Sequence, residues 1–443
     1  MFVQFMSRRG DARMGTLRKI TLGIAGFGTV GGGLLQILSM NRDALAARSG
    51  CEFVVRTVCV RDASRPRGVP LPEGARLTTR LADITEDPAI DIAVELMGGI
   101  EPACTFIRGA LAAGKHVVTA NKALLARHGT ELLRLASEKG VRLLYEASVA
   151  GGIPIIQTMK ESLAGNEVCS IDGILNGTSN FILSEMTSKG RDFDSALAEA
   201  QRLGYAEADP TLDIDGWDTA HKLTLLIRLA WGLDYPCDKM PVQGIRGMNS
   251  MDITYAREFG YRIKLLGSAR MTPQGIDAGV YPALVRHTYL LARVGGAFNA
   301  VRLEANALGA LFLHGQGAGA LPTGSAVMSD IVAAARGTMP LNSGFMSQTP
   351  LPASCLPPEE SVSPYYLRFI VKDNPGVLHT LTGALAANGV SIAQVIQKEE
   401  CAEGVPLILM LHAAPAKAVN AALDSVGRAD FLCAEPVAFR VMG

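Results

Sequence analysis

The chain has 443 residues, enough for two or three hydrophobic cores at ~100–200 residues each. Lys plus Arg balance Asp plus Glu at 42 each, and charged residues make up only 19% of the chain, so no broad basic surface for nucleic acid is implied. The longest apolar stretches, such as Leu223 to Leu233, are cut by Arg228 and Gly232 well short of the ~20 residues that cross a bilayer, so no membrane partner is expected.

Residues 1–17 carry Arg8, Arg9 and Arg13 but no continuous apolar segment, which fits a disordered extension and not a secretory signal. The eight cysteines, Cys51, Cys59, Cys104, Cys169, Cys237, Cys355, Cys401 and Cys433, stand singly in apolar surroundings with no metal-ligand spacing. Buried reduced thiols in a cytoplasmic protein are the expectation.

From Lys19, short apolar runs alternate with helix-like stretches: KITLGIA, TVGGGLLQILS, FVVRTVCV, DIAVEL, KHVVTA and VRLLYEA. This alternation predicts an α/β unit with a parallel sheet over residues 18–148. Gly26-Phe27-Gly28-Thr29-Val30-Gly31 follows the first strand and opens a helix, the context in which GxGxxG marks a Rossmann-type dinucleotide site. In that pattern the first glycine makes the turn, the second admits the pyrophosphate, and the third packs helix on strand. Val60-Arg61-Asp62 stands where the ribose is read, with Arg65 and Arg67 behind it. Arginine suits the 2′-phosphate of NADP and aspartate the free hydroxyl of NAD; Arg61 points to NADP, and NAD stays compatible.

After residue 149 the texture changes to longer helices, Ser195 to Leu203 and Trp217 to Trp231, then β-like segments near Tyr261 to Ala269, Gly275 to Tyr281 and Ala300 to Ala305, predicting an α+β unit over 149–322. Asp218 and Lys222 share a helical face there, with Glu207, Asp209, Asp213 and Asp215 in the loop ahead. Spacing alone fits a surface pair of ~0.2–0.5 kcal/mol as well as it fits an active site. Tyr205, the carboxylates and a lysine in one region suit a substrate with both an ammonium and a hydroxyl. The Pro-rich stretch 349–364 reads as a flexible linker.

Beyond it, Tyr366 to Val371 predicts a strand, Asn374-Pro375 a helix cap with proline at the first helical position, and Val377, Leu378, Leu381 and Leu385 one helical face. Strands at Val390 to Gln397 and Leu407 to His412, a helix at Ala416 to Val426 and a strand at Val437 to Val441 complete a βαββαβ order.

Leu203-Gly204-Tyr205-Ala206-Glu207-Ala208-Asp209-Pro210, running into Asp213-Ile214-Asp215-Gly216-Trp217-Asp218 and Lys222, resembles the signature segment of homoserine dehydrogenases. GFGTVG at 26–31, NKALLA at 121–126, YEASVAGGIPII at 145–156, LNGTSNFIL at 175–183 and LPTGSAV at 321–327 agree with that family in order. The resemblance implies an NAD(P)-dependent oxidoreductase that interconverts L-homoserine and L-aspartate 4-semialdehyde, in the biosynthesis of threonine, methionine and isoleucine. It implies that Lys222 is the acid/base at the reacting oxygen, that Lys122 lies near nicotinamide and substrate, and that Glu207 and Asp218 hold the substrate. Asp213, Tyr205, Gly177 and Thr178 match supporting positions. Gly204 and Gly319 match places where backbone meets cofactor, with Gly317 an alternative to Gly319, and residues 316–340 would complete the nucleotide domain. Glu146, Val149, Gly151 and Ile153 match a loop that offers oxygens to a monovalent cation, sodium. Residues 365–443 resemble the ferredoxin-like ACT module, which binds an amino acid between paired copies; the resemblance implies threonine as effector and a homodimer or homotetramer. The alternatives are a catalytically silent amino-acid sensor on a nucleotide fold, or an NAD(P) enzyme acting on another carbonyl substrate.

Overall fold

Apolar runs bounded by glycines and polar turns become the strands of a first unit: β1 (Arg18–Ala25), β2 (Cys51–Cys59), β3 (Arg76–Thr78), β4 (Ile92–Glu95), β5 (His116–Thr119) and β6 (Leu143–Leu144). They pair in parallel in the order β3-β2-β1-β4-β5-β6, the doubly wound order that reverses beside β1 and opens a crevice at the strand ends. Leu22, Ile24, Ala93, Val94, Val117 and Val118 are buried, because both sheet faces are covered by helices. The structure, a computed structural model, describes residues 17–339, 344–345, 350–399 and 402–442. The predicted extension up to residue 16, Thr349 at the start of the predicted linker, and Cys401 lie outside the described residues.

The chain divides into two compact units, Met1–Gln157 with Gly319–Thr349, and Thr158–Ala318 with Pro350–Gly443. In the first, the returning helix Ala320–Arg336 packs on the helix Thr29–Met40 at two glycines. A Cβ on Gly33 would stand 2.0 Å from the Ala320 carbonyl oxygen, and one on Gly324 would stand 2.8 Å from the Gly33 backbone. Arg142 anchors the far end of the returning helix by donating to the carbonyls of Met339 and Gly337 at 2.8 and 2.9 Å.

The second unit adds β7 (Val168–Ile174), β8 (Leu233–Asp234), β9 (Tyr261–Thr272), β10 (Gly275–Arg286), β11 (Phe298–Ala305), β12 (Gly309–Gln316), β13 (Leu351–Pro352), β14 (Val362–Val371), β15 (Ile392–Gln397), β16 (Val405–Pro415) and β17 (Val437–Val441). Nine of these strands form one sheet in the order β12-β11-β7-β9-β10-β17-β14-β16-β15. The predicted βαββαβ segment is present as β14 to β17 with helices Val377–Ala387 and Ala416–Val426. Its last strand pairs in parallel with β10, Ala283 opposite Arg440 and Leu284 opposite Val441, so the C-terminal strands continue the preceding sheet.

Three local expectations differ. The Pro-rich stretch, expected as a flexible linker, is held over its described part: Ile276 donates to the Ser354 carbonyl at 2.7 Å, Leu356 to the Ile276 carbonyl at 2.9 Å, and β13 pairs with β8. Main-chain pairing along β10 overrides the prolines, whose missing N–H groups are not needed on that side. The C-terminal helix starts at Val377 with Gly376 as its cap, at φ +93°, so Asn374-Pro375 forms the preceding turn; Leu378 on that helix is 41% exposed. Among the described cysteines, Cys169 and Cys433 are exposed and Cys237 and Cys355 only half-buried, while burial pushes the thiols of Cys59, Cys104 and Cys237 up.

A buried charge cluster fastens β14 to the helix Ser250–Glu258. Arg368 donates to both oxygens of Asp252 at 2.6 and 3.0 Å, and the Tyr366 hydroxyl donates to the same carboxylate at 2.9 Å. Burial, with the Asp252 charge, pushes the Tyr366 pKa up and keeps it a donor. Asp252→Ala should therefore leave a buried guanidinium unpaired and cost about 3–5 kcal/mol in denaturant unfolding. A loss below about 1 kcal/mol would show that the cluster does not fasten the strand.

Candidate active site

In the first unit, β1 delivers the chain into the glycine turn. Gly26 adopts φ +112°, and a Cβ there would lie 2.5 Å from the Leu96 carbonyl oxygen; one on Gly31 would lie 2.4 Å from the Gly26 carbonyl oxygen. Nothing lies within 4 Å of a Cβ placed on Gly28, so that backbone is open to an approaching group. Gly28 caps the helix Thr29–Met40 with no side-chain hydrogen bond, leaving its first N–H groups and positive dipole end for an anion. Gly26, Phe27, Gly28 and Thr29 line a cleft of about 1100 Å³ with Arg61, Asp62, Arg65, Arg67, Gly98, Gly99 and Ala320, while Val30 and Gly31 are not part of its lining. Arg67 lies 5.3 Å from the Phe27 ring centre and donates to the Asp62 carbonyl at 2.6 Å. Hydrogen bonds from Ser64 hold the Asp62 carboxyl below the usual range. Phe27, Thr29 and Arg61 are thus brought to one cleft with Gly26 and Gly28, and its shape and charge fit a dinucleotide.

Gly319, at φ +119°, caps the helix Ala320–Arg336, whose first residue reaches this cleft. Lys122 opens the helix Lys122–Glu138 just beyond the end of β5. Asn121 caps that helix, its Oδ1 accepting from the Leu124 N–H at 3.2 Å and its Nδ2 donating to the Gly99 carbonyl at 2.6 Å. Below it, fully buried Glu95 accepts from Thr119 Oγ1 at 2.6 Å and from the N–H groups of Met97 and Gly98 at 2.7 and 3.1 Å. Glu95 and Thr119 were not singled out in the sequence, although a buried glutamate ending an apolar strand is itself a signal.

The loop 146–153 is buried throughout except at Gly152. Glu146 accepts from the N–H groups of Ile156 and Gln157 at 2.8 and 2.7 Å, one per carboxylate oxygen, and donates its own N–H to Asp330 at 2.7 Å. Ala150 and Gly151 both take left-handed backbone conformations, at φ +53° and +52°, which fold the loop back on itself. Val149 and Ile153 are buried beside it. The set offers oxygen ligands only, a carboxylate and backbone carbonyls, and that chemistry fits a hard monovalent cation.

In the second unit the helix Trp217–Trp231 places Asp218 and Lys222 on one buried face, each less than a tenth exposed. Lys222 Nζ donates to Asp218 Oδ2 at 2.8 Å and to the Leu175 carbonyl at 2.7 Å. The surface-pair reading is thereby set aside. Asn176 donates one amide nitrogen to two carboxylates, Asp213 Oδ1 at 2.7 Å and Asp218 Oδ2 at 2.8 Å, while its Oδ1 caps the helix Gly177–Lys189 through Ser179 N–H at 2.8 Å. Burial first, and the Asp218 charge second, raise the Asp213 pKa. Thr178 Oγ1 donates to the Tyr205 carbonyl at 2.6 Å, and Gly177 begins the same helix. Two of the three N–H bonds of the Lys222 ammonium are engaged by these acceptors.

Other candidates stand at the margin of this cluster. Tyr205 is 48% exposed with its ring 4.9 Å from that of Phe181, and its carbonyl, not its hydroxyl, meets Thr178. Gly204 makes an exposed turn at φ +77°, and Glu207 is exposed, its carbonyl accepting from Gln201 at 3.2 Å. Asp209 and Asp215 turn elsewhere: one caps Thr211 and the other forms a two-bond pair with Arg246. Gly317 is required for packing, since a Cβ there would meet Asn299 at 2.1 Å. In this cluster Asn176 and Asn299 were also not singled out in the sequence, though Asn176 stands directly before Gly177 in the LNGTSNFIL block.

Comparison with known proteins agrees with this geometry. Residues 154–332 match the family model described as homoserine dehydrogenase, residues 26–146 its NAD-binding domain, and residues 365–428 the ACT domain. A curated homoserine dehydrogenase of Pseudomonas aeruginosa is 42% identical over 437 residues, 96% of this chain and 99% of that protein. The crystal structure of a homoserine dehydrogenase from Thiobacillus denitrificans superposes with a TM-score of 0.90 at 43% identity, covering 96% of this chain and 98% of that one. A hyperthermophilic archaeal homoserine dehydrogenase in complex with NADPH reaches 0.63 at 27% identity, covering 73% of this chain and all of that one. The dinucleotide cleft, the buried lysine and carboxylate cluster and the C-terminal βαββαβ segment are thus parts of one NAD(P)-dependent oxidoreductase, and the chain belongs to the homoserine dehydrogenase family.

Proposed function

We propose that Lys222 is the acid/base of the interconversion of L-homoserine and L-aspartate 4-semialdehyde, and that the carrying observation is its Nζ fixed between Asp218 and the Leu175 carbonyl. As an amine it takes the hydroxyl proton in the oxidative direction, and as an ammonium it returns one to the carbonyl oxygen in the reductive direction. Asp218 orients it and, with Glu207 and Asp213, supplies negative charge for the substrate α-ammonium; Tyr205, Gly177 and Thr178 shape that end of the site. The bound nicotinamide supplies hydride acceptance or donation. Residues 26–31, Arg61, Lys122, Gly204 and Gly319 are the groups assigned to hold the coenzyme, Lys122 near its reacting end. Glu146, with the carbonyls of Val149, Gly151 and Ile153, holds a monovalent cation, taken as sodium.

Three arginines around one cleft favour NADP over NAD, and the archaeal relative bound to NADPH supports that reading. The effector is taken as threonine, received at the turn before the helix Val377–Ala387, where Lys372, Asn374, Gly376, His379 and Thr380 line a hollow of about 390 Å³. The working assembly is taken as a homodimer or homotetramer in the cytoplasm. No helix among the described residues is long and apolar enough to cross a membrane.

Three outcomes test this. Lys222→Ala should lower kcat by about 10²–10⁴-fold while circular dichroism stays unchanged; a folded variant with wild-type turnover refutes the acid/base role. Arg61→Ala should weaken NADP⁺ binding more than NAD⁺ binding in titration, because a guanidinium grips the 2′-phosphate with paired hydrogen bonds; equal losses would return Arg61 to the solvent. Threonine should inhibit the full chain with a coupling of about 1–3 kcal/mol, and Asn374→Ala should shift inhibition to higher threonine with uninhibited kcat unchanged. Unshifted inhibition would place threonine at the active site as a homoserine mimic.

A further inference from the structure

Another buried lysine, which the proposed chemistry does not use, lies in the second unit. Lys264 of β9 is 4% exposed, and its Nζ donates to Asn180 Oδ1 at 3.0 Å and to the Val294 carbonyl at 2.5 Å. Burial first, with the charge of Arg262 behind it, lowers this ammonium to about 8. Among the described residues no carboxylate lies within ion-pair distance of it. An ammonium held only by neutral acceptors is costly to bury, and an apolar side chain of similar length would fill the space without that cost. A positional task explains why a lysine stands there.

The task is visible in the contacts. Asn180, in the first turn of the helix Gly177–Lys189, donates Nδ2 to the carbonyls of Val294, Gly296 and Phe298 at 3.2, 3.0 and 3.1 Å. Lys264 and Asn180 together gather the segment 294–298 around the helix start, where the Ala297 carbonyl oxygen comes within 2.7 Å of a Cβ placed on Gly177. The next residue, Asn299, is fully buried and donates Nδ2 to the Leu175 carbonyl at 2.9 Å. That carbonyl is the one that accepts from Lys222 at 2.7 Å. Gly317 leaves room for Asn299 and for nothing larger.

We propose that Lys264 is a positioning residue for the reaction: by fixing the segment 294–298 it sets Asn299, and Asn299 holds the Leu175 carbonyl that aims the Lys222 amine. The inference rests on the acid/base role proposed for Lys222. A displaced carbonyl would let the amine swing off the line to the substrate oxygen, a loss felt in the chemical step more than in substrate binding.

A mutant cycle on the full chain tests it. Lys264→Met and Asn299→Ala should each lower kcat about 10-fold or more with homoserine KM within about twofold, and the double variant should be no slower than the slower single, since both act through one carbonyl. If Lys264→Met does not fold, Lys264→Gln, which keeps a neutral donor, takes its place in the cycle. Wild-type kcat in a folded Lys264 variant, or losses that multiply in the double, would overturn the proposal. Lys222→Ala, assayed alongside, separates the two readings: if it keeps turnover, the acid/base role itself falls, and if it alone loses turnover, only the part given to Lys264 falls.

Discussion

A buried lysine and carboxylate, with a second, half-buried carboxylate beside them, form one cluster, and everything assigned to substrate chemistry in this chain leans on how their charges are settled. Asp213 and Asp218 repel each other, which, after burial itself, is why the Asp213 carboxyl titrates above its usual range. Asn176 answers that repulsion with one amide group shared between them, and Lys222 neutralises Asp218 directly. Removing one partner from such a set leaves a desolvated charge, so the geometry is fixed far more firmly than a surface pair of the same spacing would be. The arrangement also suits a cation: an α-ammonium near Asp213 would stabilise the ionised form that burial and the Asp218 charge disfavour.

Much of this was legible because the signals were local. The glycine turn, the Asp218 to Lys222 spacing and the βαββαβ order each depend on a few consecutive residues whose conformational demands are sharp. The elements that escaped notice depend on long-range pairing. β3 is three residues with no apolar run and exists only because β2 offers it an edge. Asn299 looks like an ordinary polar residue in a strand until the fold sets it beside the Leu175 carbonyl, and Lys264 likewise reads as the outward residue of an amphipathic strand. The prolines at 350–358 gave a sound local argument for a loop, but sequence could not show that β10 leaves an edge for that loop to follow.

The sheet continuity changes how the C-terminal segment can act. A module on a flexible tether influences its neighbour only through occasional collisions or shared partners, whereas here β17 sits between β10 and β14 in one hydrogen-bonded ladder. Asp252 adds a second fastening, from the helix Ser250–Glu258 to β14, and that helix packs on both β9 and the helix Gly177–Lys189 that starts beside Asn176. A ligand that favours one twist of β14 to β16 over another therefore meets elements that also carry Lys264 and Asn180, with packed side chains between them that have discrete arrangements and little slack. The coupling so transmitted can be no larger than the ligand's own preference between the two arrangements. The fold thus supplies a continuous mechanical path while leaving the size of the response to whatever contacts distinguish the two arrangements of β14 to β16.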